Sequence, residues 1–250
     1  MKRKLACALV SAATLAVAPA FAEGEAAPPP AAETTTTTST ATATAAPAEA
    51  APAAAGGQKG VEIGLRLGYG IPLGDAAKDV KLGDSLKGQI PIRIDAGYRI
   101  NPNIYVGLYF SYGIAMINKD KTKGCDQSGV DCSAHTLNFG VMGAYHIMPE
   151  ASFDPWVGLG LGLEQVGQKV SAGGKDFSST AKGLTFLDLQ VGGDFKATPN
   201  FMVGPFVSFA IGQYSSVSSE TPAGSASADI TDKGLHQWLT IGVRGAYGIW

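Results

Sequence analysis

Ten charged residues of this chain share one peculiarity of spacing. Glu62, Arg66, Arg93, Asp95, Arg99, Glu164, Asp188, Asp194, Lys196 and Arg244 each stand in a run where apolar side chains occupy every second position, and each falls on the other parity. Five are acidic and five basic. Balanced charges held on one face suit mutual ion pairing. The three histidines, His135, His146 and His236, are the remaining candidates for chemistry. Hydrolysis by a histidine base would need a nucleophile and an orienting carboxylate in one cluster. Serines are plentiful between the apolar runs, yet no spacing singles out a nucleophile. The histidines read as interior or loop residues, and no catalytic residue is assigned. No phosphate loop, zinc signature or dinucleotide fingerprint occurs, so neither metal nor cofactor is expected.

The elements that must position these charges are strands of period two. The first, residues 61–73, sets Val61, Ile63, Leu65, Leu67, Tyr69, Ile71 and Leu73 against Glu62, Gly64, Arg66, Gly68 and Gly70. The same alternation recurs over residues 90–100, 104–116, 136–147, 155–164, 185–196, 201–214 and 235–250. In every one the charges avoid the apolar face. The other face also carries many glycines, with room beside them for Tyr105, Tyr109, Trp156, Phe186, Phe206 and Trp238. Eight strands of roughly 10–15 residues are long enough to cross a bilayer at a barrel's tilt.

Composition supports that reading. Charged residues make up 16% of the 250, against about 25% in ordinary soluble domains. Outside the first residues no apolar run approaches the roughly 20 residues of a membrane helix. The net charge of −2 argues against a nucleic-acid partner. Lys2, Arg3 and Lys4 precede a short apolar stretch and the small-x-small site Ala20-Phe21-Ala22, so residues 1–22 read as a signal peptide. Residues 23–60 are almost wholly Ala, Pro, Thr, Glu and Gly, with no large apolar side chain to offset the entropy of ordering. They read as a disordered periplasmic linker. Residues 61–250 form the folded domain.

Alternation alone fits a soluble sandwich as well as a barrel in lipid. Three further signals favour the barrel. The connections alternate long and short, at 74–89, 101–103, 117–135, 148–154, 165–184, 197–200 and 215–234, the habit of outer-membrane barrels. Aromatics gather toward the strand ends, with Tyr98, Tyr145, Phe195, Phe201 and Tyr247 at the short-turn end. Tyr69, Tyr112, Phe139 and Phe209 lie toward the other. The export signal is the third. An exported chain meets an oxidising compartment, so Cys125 and Cys132 in the second long connection are expected to form a disulfide. Thiolate metal binding is the alternative, but only His135 stands near as a further ligand.

In this architecture the sequence over residues 61–250 resembles the small eight-stranded outer-membrane β-barrels, the superfamily of the outer membrane protein A transmembrane domain and outer membrane proteins X and W. The ending Tyr247-Gly248-Ile249-Trp250 is similar to the terminal aromatic that barrel-assembly machinery reads in that family, although Trp250 is out of phase with Tyr247, Val243 and Ile241. The expected fold is therefore all-β, an eight-stranded antiparallel up-and-down transmembrane barrel. Its expected place is the outer membrane of a Gram-negative bacterium. Outer-membrane lipid, lipopolysaccharide and, during biogenesis, the assembly machinery are the expected partners of a monomer.

Three function classes remain open on these residues. A structural or surface-interaction barrel with a lumen plugged by side chains comes first. A narrow channel for small or hydrophobic solutes, as in the outer membrane protein W group, comes second. A lipid A-modifying enzyme comes last, and no enzymatic activity is expected. Lys119, Lys121, Lys123, Asp120, Asp126 and Asp131 of the second long connection are the loop charges available to lipopolysaccharide phosphates or a ligand.

Overall fold

A computed structural model describes residues 59–122 and 124–250. The expected signal peptide, the linker up to residue 58 and Lys123 lie outside the described residues. The elements in chain order are β1 (Gly60–Ala77), β2 (Val80–Lys81), α1 (Leu82–Ser85), β3 (Leu86–Asn101), β4 (Ile104–Ile117), β5 (Val130–His146), β6 (Phe153–Ala172), β7 (Lys175–Lys196), β8 (Phe201–Thr221), β9 (Gly224–Asp229) and β10 (His236–Ile249). Strand β1 takes in Gly60, which the sequence reading left in the linker.

Eight of these strands form one antiparallel ring. The order runs β1-β3-β4-β5-β6-β7-β8, and β10 closes it by pairing with both β8 and β1. Tyr247 lies opposite Ile63 on one side and Phe201 on the other. Strands β2 and β9 are short additions at the end carrying the long connections, called here the loop end. The opposite, turn end carries the connections at 102–103, 147–152 and 197–200. No described helix is long and apolar enough to cross a membrane.

Alternation sorts the side chains radially. Leu65, Leu108 and Ile241 point outward with 54%, 65% and 56% of their surface exposed, whereas Glu62, Asp95 and Arg99 point inward at 0%. A soluble sandwich would show the reverse, apolar inside and charged outside. An apolar belt around a closed ring is the arrangement that hydrocarbon requires.

Three details differ from the sequence reading. The connections expected at 165–184 and 215–234 are largely strand. Strands β6 and β7 continue past the belt to a two-residue turn at Gly173 and Gly174, whose φ values of 57° and 73° fit the left-handed turn that joins hairpins. Their Ser, Lys and Gln content hides them from a search for apolar alternation, because a strand pair in water needs no apolar outer face. Next, Phe186 faces outward at 45% exposure instead of into the lumen. Register shifts beside it, between Thr185 and Leu187 and between Gly160 and Gly162, break the parity of β7. Finally, β6 starts at Phe153, so Asp154 belongs to a strand and not to a turn.

The inward glycines do make room for large rings. A Cβ at Gly192 would lie 2.5 Å from the Trp156 ring, and one at Gly162 would lie 2.4 Å from the Tyr109 hydroxyl.

The outward face supplies a direct check. Leu108→Arg puts a charge near the middle of β4 on the lipid side, and is expected to cost about 2–4 kcal/mol. Equilibrium unfolding from lipid vesicles measures it. A loss below that of an inward-facing Gly158→Ala control would place this face away from lipid.

Candidate functional site

Inward positions on eight strands converge on a lumen too narrow for the charges to avoid one another. Near the turn end, Arg99 of β3 reaches Glu62 of β1 with Nε and Nη2 donating to Oε2 at 3.0 and 2.6 Å. The other Glu62 oxygen accepts from Arg244 of β10, which also donates to Asp194 of β7. Arg99 further donates to the Pro102 carbonyl at 3.1 Å and meets His146 Nε2 at 3.2 Å. The opposite ring nitrogen of His146 lies 2.7 Å from Asp154 Oδ2. One carboxylate thus bridges two guanidinium groups, and one imidazole joins a third carboxylate to them.

The middle of the lumen repeats the theme. Arg66 donates to Asp95 at 3.0 Å and to the Gln190 amide oxygen, while Tyr105 donates to the other Asp95 oxygen at 3.0 Å. Arg93 donates to Asp188 at 2.7 Å, and Gln190 donates to that same oxygen at 2.7 Å. The Met142 sulfur lies between the two arginines, 3.7 and 3.6 Å from their nitrogens. Aromatic faces cover part of the remaining guanidinium surface. Arg93 stands 3.7 Å from the Tyr109 ring centre and Arg66 5.2 Å from that of Trp156. Charges taken out of water this far need such partners on every side.

Toward the loop end, Glu164 is buried and saturated. Thr185 and His236 approach Oε2 at 3.0 and 2.9 Å, and Tyr214 and Trp238 donate to Oε1 at 3.1 Å each. His236 stacks on Tyr214 with ring centres 4.0 Å apart. Between this cluster and the middle arginines lies a cavity of about 70 Å³, touched by Arg93, Asp188 and Thr240. That is room for on the order of two waters. Above Glu164, α1 folds into the barrel mouth, where Leu82 and Leu86 pack with Tyr214 and Trp238 in an apolar layer.

Nine of the ten charges singled out in the sequence join these contacts. Lys196 does not; its ammonium bonds the Pro149 carbonyl at the turn end. Asp154, His146, Gln190, Tyr105 and Met142 complete the array and were not assigned to it from sequence. For Asp154 a signal existed, since it shares the parity of Trp156 and Glu164. Trp250 turns its indole back over the turn end. Its Nε1–H donates to the Pro199 carbonyl at 3.2 Å, and the Arg99 guanidinium lies 5.3 Å from its ring centre.

The histidines do not converge. His135 stacks with outward Tyr112, whereas His146 and His236 sit inside in different clusters with no hydroxyl nucleophile bonded to either ring. Among the described residues no group of three or more His, Cys, Asp or Glu is placed to hold a metal ion. Cys125 and Cys132 are joined in a disulfide. Two charges of that connection are tied back to the first one: Asp120 pairs with Lys87 at 2.8 Å and Lys121 approaches Asp84 at 4.0 Å.

An apolar-belted ring of eight strands around a polar interior is a transmembrane β-barrel of the small type. The chain belongs to the outer membrane protein beta-barrel domain family, whose family model matches residues 38–244. The membership gives the outer membrane as its place. No curated protein matches the chain. Among solved structures it is similar to Neisserial surface protein A, at 18% identity and a TM-score of 0.41 over 74% of this chain and 95% of that one. Ail, the attachment invasion locus protein of Yersinia pestis, gives 16% and 0.41 over 75% and 98%. OprG of Pseudomonas aeruginosa gives 12% and 0.45 over 77% and 99%.

The bridging carboxylate is the most sensitive point of the array. Glu62→Ala leaves Arg99 and Arg244 each short of a buried partner, and is expected to lose about 3–5 kcal/mol of stability. Glu62→Gln should lose less, because its amide oxygen still accepts one bond. Equal losses in denaturant titrations would mean that the amide oxygen replaces nothing and that only the charge of Glu62 matters. A Glu62→Gln variant as stable as the unaltered protein would mean that Glu62 acts through its size alone.

Proposed function

We propose that this chain is a structural or surface-interaction barrel whose lumen is plugged by its own side chains. One observation carries the reading. Ion pairs and hydrogen bonds cross the lumen in tiers, from Arg99–Glu62–Arg244 through Arg66–Asp95 and Arg93–Asp188 to Glu164. A hydrated ion passing through would have to separate these pairs. Each separation strands a buried charge at a cost of several kcal/mol.

In this reading the long connections face the medium and the short turns face the periplasm, where the linker emerges. The loop-end strand extensions and the disulfide-closed connection are the parts presented to other molecules, lipopolysaccharide among them. Trp250 acts in biogenesis as the terminal aromatic met by the assembly machinery, and the barrel works as a monomer. Neisserial surface protein A and Ail, by their names a surface protein and an attachment and invasion protein, are in keeping with this role. The channel reading draws on the cavity of about 70 Å³ beside Arg93 and Asp188.

Planar-bilayer recording separates the two. The purified protein is expected to give no reproducible unitary conductance steps. Arg93→Ala with Asp188→Ala, which removes one tier, should admit small steps if the tiers form the barrier. Steady unitary steps from the unaltered protein would overturn the plug.

A further inference from the structure

The tiers account for the lumen below Glu164 but not for the space above the apolar layer. There the extended strands β6, β7 and β8 rise past the belt as a curved wall. Their shared register places Val166, Ala181 and Val217 side by side on its inner face. Leu82 of α1 and the Tyr214 ring form the floor, and Ile230, just after β9, closes the side. The cup, open on its outer side, measures about 330 Å³.

Three properties of this cup define what it would hold. Its size is about twice that of a 150 Å³ protein cavity that accommodates benzene, and it falls within the roughly 300–1,000 Å³ of small-molecule sites. No Lys, Arg, Asp or Glu lines it; the polar lining consists of Ser85, Gln168 and Ser179. Its floor is also fixed from below, because the Tyr214 hydroxyl is engaged by Glu164 and Leu82 packs on Leu86 and Trp238. A pocket whose floor is held this way is pre-formed, so a ligand need not order it. Phe177, on the same strand face as Ala181 and Ser179, stands further out with 40% of its surface exposed.

We infer that the cup at the loop end is a binding site for small uncharged apolar molecules, about the size of two fused aromatic rings. The inference does not depend on whether the lumen below conducts, because the cup lies on the far side of the Leu82–Trp238 layer. A ligand would rest on the Tyr214 ring, exclude water from the Val166–Ala181–Val217 wall, and find only neutral hydrogen-bonding groups around it. A charged ligand would lose hydration there without gaining a counter-charge.

The test uses the full chain in lipid nanodiscs, with the Ile, Leu and Val methyl groups labelled for NMR and naphthalene as the probe. The Val166, Val217 and Leu82 methyls are expected to shift and saturate. Leu108 and Ile241, on the lipid face, should shift only in proportion to naphthalene dissolved in the bilayer. Naphthalene-2-sulfonate should give no saturable shift at the cup. Ala181→Trp fills the cup and should weaken the saturable binding by at least about tenfold. Ser179→Asp, on the water-exposed hairpin, brings a charge to the wall and should do the same if the Trp variant fails to fold. Shifts that never saturate, that survive both substitutions, or that the sulfonate reproduces would overturn the proposal.

Discussion

A peptide backbone inside hydrocarbon has no water to bond, so every N–H and C=O there must find a partner in the protein. Helices achieve this within one segment. Strands achieve it only when the last pairs with the first. Here that duty falls on β10, which bonds β8 along one edge and β1 along the other over nearly its whole length. Once the ring closes, each residue has one of two directions, and the remaining features follow. Apolar side chains turn to lipid, and the rest are confined to a lumen a few side chains wide.

That confinement explains why the interior is built as tiers of paired ions. An isolated charge in so narrow a space would be far costlier than a paired one. Arginine suits the task because its planar fork can bond two acceptors while an aromatic ring covers its face. Arg66 does this between Asp95, Gln190 and Trp156, and Arg93 between Asp188 and Tyr109. Glycine is the counterpart of these large groups. Gly192 leaves the volume that the Trp156 ring takes up, and Gly162 that of the Tyr109 hydroxyl.

Beyond the belt the rules change. Water satisfies the outer edges, and strand pairs persist there through turn chemistry and their own ladder. The Gly173–Gly174 turn extends β6 and β7 into the wall of the outer cup. Loop and barrel also meet at this level, where α1 drops Leu82 into the mouth.

The sequence by itself determined the strand count, which face of each strand is apolar, and which charges share a face. These depend only on parity along the chain, and parity is a local property. It set the ten charges on one face without pairing them, and it named the two cysteines that pair. It did not reveal that Glu62 bridges Arg99 and Arg244, since those residues are 37 and 182 positions away. Nor did it show Asp154 against His146, Phe186 turned outward at a bulge, or Trp250 folded over the turn end. Such partnerships are set by the register between strands and by the shifts within it. Only closing the ring fixes how far each strand slides past its neighbour, and so which inward side chains meet at one height.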